Sequence, residues 1–268
     1  MDIQLLEQTK DKMTATFLLK GANPAFANTI RRAVINSVPT MAIDTVDFNK
    51  NSSVLYDEMI AHRLGLVPIK TDIKTYGLTK DCTCKGEGCA KCQVQLTLSV
   101  KADKPMWVYA SDMKSKDPKV IPVPALGQIP LVKLQKDQEL EFVATARLGT
   151  GNSHAKHTPA LAHYNYKPEV KITKKGESRT ELKDICPPGV LDVKGGKLVI
   201  NKDYAFDTKL FEAAVAASEG ALEVKESESD FIFTIESWGQ LSCPEIIESA
   251  VDTLRAANDE FVKLVKAI

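Results

Sequence analysis

Asn23-Pro-Ala-Phe26-Ala-Asn-Thr-Ile30-Arg31-Arg32-Ala-Val34-Ile-Asn-Ser-Val-Pro39, running on to Asp57-Glu58-Met-Ile-Ala-His62-Arg63-Leu64-Gly65-Leu-Val-Pro68-Ile-Lys70, joins a two-faced helix to an ordered series of breaks and strands. Asn23 before Pro24 is a helix start: a side chain that accepts an orphan N–H, then a residue whose own missing N–H costs nothing in the first turn. Phe26, Ile30 and Val34 recur every fourth residue with Ala27 and Ala33 beside them, while Asn28, Arg31, Arg32 and Asn36 point elsewhere and Pro39 ends the run. The apolar stripe is narrow, and two adjacent arginines stand next to it. Rigid guanidinium forks suit a carboxylate-bearing partner surface better than lysines do.

Upstream, Met13, Ala15 and Phe17 alternate with Thr14 and Thr16, so the segment to Lys20 reads as strand, and Gly21 turns it into the helix. Downstream of Pro68, turns and a cysteine loop lead into a half-buried strand in which Val94, Leu96, Leu98 and Val100 alternate with polar neighbours. Glu139 to Leu148 alternates again through Leu140, Phe142, Ala144 and Ala146, whereas Lys114 to Pro124, carrying lysines and prolines, predicts a connection and not a central strand. Phe231, Phe233 and Ile235 mark one more strand. Ser242 and Glu245 then have capping-box spacing and predict a long helix to the end. Along it Ile247, Val251, Leu254, Phe261, Val265 and Ile268 alternate in threes and fours, interrupted only by Asn258, as in the seam of a helix that pairs with another helix. The same pattern would also serve a core helix of its own domain.

At 268 residues, 44% of them hydrophobic, the chain is long enough for two or three modules. Lys and Arg together number 35, as do Asp and Glu, so no overall positive field exists to gather phosphate backbones. No apolar run approaches the roughly eighteen residues of a membrane helix, and the amino terminus lacks a basic region followed by an apolar one. The expectation is a cytoplasmic protein with no membrane contact.

Cys82, Cys84, Cys89 and Cys92 read C-x-C-x4-C-x2-C, with Gly86 and Gly88 supplying the backbone freedom to wrap an ion. Four thiolates close a tetrahedral shell with no open position for water or substrate, the arrangement of a structural metal. Disulfides are the competing account, disfavoured in a reducing cytosol. Thiolates take zinc or iron, so the residue types leave the identity of the ion open.

Asn28 to Ile43 and Asp57 to Ile69, followed by Gly127-Gln-Ile-Pro130-Leu-Val-Lys133-Leu, Ala146-Arg-Leu-Gly149 and Ser153-His-Ala-Lys156-His-Thr-Pro159, form an ordered set of blocks. The set resembles the alpha-type subunits of multisubunit RNA polymerases, and within them the archaeal D-type family, counterpart of the third-largest eukaryotic subunit and of bacterial alpha. The likeness spans nearly the whole chain. It implies an α+β fold: a discontinuous alpha-type dimerisation domain (1–46 and 225–268), an inserted sheet-rich domain (47–168) with the cysteine loop at 82–92, and a ferredoxin-like module (169–224). It further implies a non-catalytic assembly subunit of DNA-directed RNA polymerase. Such a subunit heterodimerises with a small alpha-like partner, subunit L in archaea, recruits the large catalytic and small accessory subunits, and meets DNA only through the complex. Phe26, Ile30, Val34, Val251, Leu254, Phe261 and Val265 are then expected at the partner seam, and Arg31 and Arg32 against a large subunit. One structural zinc is implied in the cysteine loop, since a loop of nearly this form occurs at this point in the eukaryotic counterpart.

Archaeal relatives often carry, in the third module, the two-cluster ferredoxin pattern C-x2-C-x2-C-x3-C-P. Here Cys186-Pro187 matches the end of one run, but Leu182, Arg179 and Gly176 occupy its other slots, and Asp207, Leu210, Ala213 and Ala217 occupy those of the second. One thiolate holds no cubane, so an iron–sulfur cluster is not expected. Cys243 reads as a helix-start residue. His154, His157 and His163 lack an accompanying cysteine or carboxylate at ligand spacing and read as a polar surface loop. Asp57 and Glu58, adjacent on a helix, diverge by about 100 degrees and read as capping or interface residues. No nucleophile with a base at a recognisable spacing, phosphate-cradling glycine loop or magnesium-binding acidic triad is evident, so no catalytic residues are expected. Two other classes fit parts of the chain. A zinc-binding transcription regulator is weakened by the zero net charge, and an electron-transfer protein by the missing cluster ligands.

Overall fold

The structure is a computed structural model that describes residues 1–185, 189, 191–201, 212 and 215–267; Cys186, Pro187, Asp207, Leu210, Ala213 and Ile268 lie outside them. The described residues combine a few helices with strands whose defined ladders are antiparallel, an α+β composition. Two compact units form, one from Met1–Glu7, Thr16–Asn28 and His163–Thr234, the other from Gln8–Ala15, Thr29–Ala162 and Ile235–Ile268. Two long strands, β9 (Ala160–Ile172) and β12 (Leu222–Ser237), each begin in one unit and end in the other.

In the first unit the strand order is β1 (Asp2–Gln8), β2 (Thr14–Lys20), β12, β9. Aromatic residues cement it: Phe17 stacks on Phe233 with centroids 5.2 Å apart, and Tyr164 meets Phe231 edge-on at 5.5 Å. Between β9 and β12, the hairpin β10 (Leu191–Lys194) and β11 (Lys197–Ile200) covers a small core of Leu182, Leu191, Leu198, Ala221 and Leu222.

The second unit is organised by a sheet ordered β3 (Thr40–Asn51), β8 (Glu139–Gly149), β4 (Gln93–Lys101), β6 (Lys114–Ser115). Period-two alternation puts Val94, Leu96 and Leu98 of β4, and Leu140, Phe142, Ala144 and Ala146 of β8, on one buried face with Met41 and Ile43. Helix α2 (Asp57–Gly65) joins that core through Ile60 and Leu64, and the pair β5 (Met106–Tyr109) and β7 (Pro130–Leu134) through Val108, Leu131, Val132 and Leu134. The expected connection after Lys114 contributes only the two-residue β6. Asp57 does not cap α2 but accepts from Asn51 Nδ2 at 2.7 Å.

Helix α1 (Pro24–Asn36) starts as its sequence dictates, the Phe26 N–H donating to Asn23 Oδ1 at 2.8 Å. Its last turn is closed by the loop after β8. The Asn152 N–H donates to Asn36 O at 3.0 Å, and a Cβ on Gly151 would stand 2.2 Å from Ile35 O, so only glycine allows this approach. Helix α3 (Cys243–Lys266) opens on the expected capping box, with the Ser242 N–H and hydroxyl on Glu245 Oε2 at 2.9 and 2.6 Å. No described helix is long and apolar enough to cross a membrane.

Candidate functional site

The cysteine loop leaves the body of the second unit at Tyr76, whose buried hydroxyl donates to Asp117 Oδ2 at 2.7 Å, and its two stems are joined by the Gly77 N–H donating to Lys91 O. Inside, Lys85 N–H donates to Cys82 O, Glu87 N–H to Cys84 O, and Cys92 and Gln93 N–H to Cys89 O. Lys85, Gly86 and Gly88 take left-handed φ values of 53°, 92° and 92°, which curl these turns so that all four thiols face inward. Cys82 and Cys89 sulfurs lie 3.6 Å apart, Cys84 and Cys92 3.6 Å, Cys89 and Cys92 3.9 Å, and all four lie within 4.8 Å of one another. Four sulfurs each about 2.3 Å from one zinc stand about 3.8 Å apart along the tetrahedron's edges. A disulfide needs about 2.05 Å, and a cubane attaches each thiolate to a different iron, which spreads the sulfurs further. The donor set therefore fits one thiophilic ion. N–H groups of Gly86 and Gly88 bring the Cys84 thiol down to about 6, while burial pushes Cys92 up to about 12. A bound cation would draw the proton from both. Among the described residues no other group of three or more His, Cys, Asp or Glu donors gathers in this way.

A second cluster went unread in the sequence. His157 is buried, against the expectation of a surface loop. Its Nδ1 faces Thr40 O at 2.8 Å, and Thr40 Oγ1 donates to His157 O at 2.5 Å. The imidazole lies where a Cβ of Gly149 would be, 2.5 Å from its Nε2. Burial holds the ring below its ordinary pKa, so it stays neutral. Beside it, Lys156 Nζ reaches Ile43 O and Asp44 Oδ1, both at 3.0 Å, and Arg147 Nη1 lies 3.7 Å from Asp44 Oδ2. The block 146–159 is thus fastened to the strand that follows α1. Its residues lie in the sequence blocks Ala146–Gly149 and Ser153–Pro159, but no local spacing marks the contacts they make. His154 Nδ1 accepts from Lys156 N–H, and His163 is exposed, so the three histidines do not converge.

The expected seam residues divide. Val34 is fully buried; periodicity marks an apolar face without saying which chain covers it. Phe26 is 37% exposed, and Ile30 is half-buried. On α3 the first half buries Cys243, Ile246 and Ala250 and leaves Val251 and Leu254 half-exposed. From Arg255 to Ala267 every residue is exposed, Phe261 at 65% and Val265 at 51% among them. Arg32 is exposed and Arg31 half-buried.

A sequence family described as the RNA polymerase Rpb3/RpoA insert domain matches residues 41–166, the stretch that holds the β3-β8-β4-β6 sheet, the cysteine loop and the Asp44–Lys156 cluster. Proteins named DNA-directed RNA polymerase subunit Rpo3 align end to end: that of Archaeoglobus fulgidus is 37% identical over 100% of this chain and 98% of its own. Those of Methanosphaera stadtmanae and Pyrococcus horikoshii are 35% and 36% identical, over 99% and 97% of this chain and 98% and 96% of theirs. The chain belongs to the Rpo3 family of RNA polymerase subunits. Rpo3 is another name for the archaeal D-type alpha homologue, so the resemblance carried by the motif blocks and the full-length similarity agree. Within an Rpo3 chain the blocks acquire a structural reason, since Ala146–Gly149 and Ser153–Pro159 hold the strand after α1 in place.

Proposed function

We propose that this Rpo3 chain is a non-catalytic assembly subunit. It pairs through α3 and the exposed start of α1 with a small alpha-like partner, archaeal subunit L, and the pair then presents surfaces, Arg31 and Arg32 among them, to the large catalytic subunits. Catalysis and DNA contact belong to the completed polymerase in the cytoplasm. The observation that carries this reading is the far half of α3, where an apolar stripe with coiled-coil spacing stands in solvent while the near half of the same helix is packed. An isolated chain of this kind self-associates. Sedimentation of the full chain alone and mixed with the small alpha-like subunit tests it: a 1:1 complex replacing larger species is expected, and a monodisperse monomer indifferent to that subunit refutes the reading.

The cysteine loop we assign to one structural zinc held by Cys82, Cys84, Cys89 and Cys92. A tetrathiolate zinc supplies a cross-link, not reactivity, and these residues supply its full shell. The expected ferredoxin-like character of 169–224 remains part of this proposal as a module without iron.

A further inference from the structure

Gly86 and Gly88 share the same left-handed φ of 92° and differ in what lies beside them. A Cβ on Gly86 would meet nothing within 4 Å, whereas one on Gly88 would meet the Gln93 side chain, with Oε1 at 2.4 Å, Cδ at 2.7 Å and Nε2 at 2.8 Å. Backbone conformation alone accounts for glycine at 86. At 88 the missing side chain also makes room for an amide. Gln93 is the first residue of β4 and stands opposite Arg147 of β8, whose Nε donates to Gln93 Oε1 at 3.2 Å. Arg147 is itself steadied by Asp44, which also takes Lys156 Nζ at 3.0 Å. From the loop side, the Gln93 N–H donates to Cys89 O at 3.1 Å. The amide is therefore fixed from the sheet and lies over Gly88, in the turn that links Cys84 to Cys89.

We propose that Gln93 is a positioning residue for the metal loop: pinned by Arg147, its amide packs over Gly88 and holds the turn between Cys84 and Cys89 in the shape that brings the four thiols together. Groups that support the ligands from behind fix their direction, and losing them typically weakens metal binding by roughly 10–100-fold. The proposal rests on the metal reading of the cysteine loop, and it makes Gln93 and Arg147 the route by which the loop's state reaches the sheet. Metal removal then loosens the Gln93–Arg147 end of the β4–β8 ladder and not the Lys101–Glu139 end.

The test is zinc affinity of the full chain, measured by competition with a chromophoric chelator, with the charge-transfer spectrum of the cobalt-substituted chain as a second readout. Gln93→Ala is expected to weaken zinc binding by about tenfold or more and to shift the cobalt band. Gly88→Ala should cost more affinity than Gly86→Ala, and the difference should vanish in the Gln93→Ala background, where the amide that the new Cβ strikes is gone. Both glycine variants carry the same φ strain, so that comparison separates crowding from conformation, and melting of the metal-free variants reads any general loss of fold. Unchanged zinc affinity in Gln93→Ala, or a glycine difference that persists without the amide, overturns the proposal while leaving the metal assignment standing. An unaltered chain that takes up neither zinc nor cobalt overturns both.

Discussion

Replacing Phe261 by aspartate separates a partner surface from a core. An aromatic side chain buries on the order of 200 Å² when fully covered. At 65% exposure, Phe261 leaves a partner roughly 130 Å² to cover. At about 25 cal/mol per Å² this is worth about 3 kcal/mol as an upper bound, or about two powers of ten in Kd. The aspartate adds the cost of an unpaired carboxylate in an apolar seam, several kcal/mol more, so Phe261→Asp should abolish pairing at micromolar concentrations. In the free chain the new carboxylate is solvated, and the melting temperature should not move. Ile246→Asp is the contrasting case: Ile246 is fully buried in the near half of α3, and a charge there should unfold the chain whether or not a partner is present. Calorimetric titration with the small alpha-like subunit and thermal melting of the chain alone measure the two effects. If Phe261→Asp binds within tenfold of the unaltered chain, or melts as low as Ile246→Asp, the far half of α3 is not the partner surface.

Replacing Arg31 and Arg32 together by alanine should leave the heterodimer intact on gel filtration and weaken recruitment of a large subunit by about thirtyfold or more, the scale of an arginine anchor; loss of the heterodimer itself would put these side chains on the wrong face. Elemental analysis should find one zinc and no iron per chain, Cys89→Ser should release the zinc, and chelation should disturb the loop without parting the heterodimer; iron with acid-labile sulfide would contradict this. The depressed pKa of His157 has a definite sign: the unfolded chain binds the proton near the ordinary 6.5 and the folded chain only at lower pH. Stability should therefore be full above about pH 6.5 and fall as pH drops toward the folded value, and His157→Gln should lose that dependence, as melting curves at pH 7.5 and 5.5 would show. Equal acid sensitivity in both chains would mean that another group titrates.

The sequence announced what depends on neighbours a few residues away. Asn23 with Pro24, Ser242 with Glu245, the alternation through Val94 and Leu140, and the four cysteines with their glycines all specify local geometry, and each stands where its spacing places it. Contacts between distant segments were not legible. Nothing near His157 says that its ring will fill the space over Gly149 and meet Thr40, 117 residues away, so a histidine in a Gly- and Ser-rich loop read as surface. Lys156 and Asp44, 112 residues apart, share the same fate, as does the Gln93 amide over Gly88. For His157 and for Gln93, a glycine was the visible half of a contact whose other half lay elsewhere.

Helix α3 shows why periodicity alone could not sort core from partner. The stripe with coiled-coil spacing runs through Ile247, Val251, Leu254, Phe261 and Val265, and two of the residues that the chain buries, Ile246 and Ala250, run one position behind it. A single-residue offset is about 100 degrees around the helix, so these are two faces, and both are apolar in the first two turns. Beyond Arg255 the inner face continues through Ala257, Glu260 and Leu264, all exposed, so it has no further core of its own to fill. A helix serving its own domain alone would end its apolar residues where its buried face ends. This one carries Phe261, Leu264 and Val265 well past that point, and the excess length is what argues for a second chain.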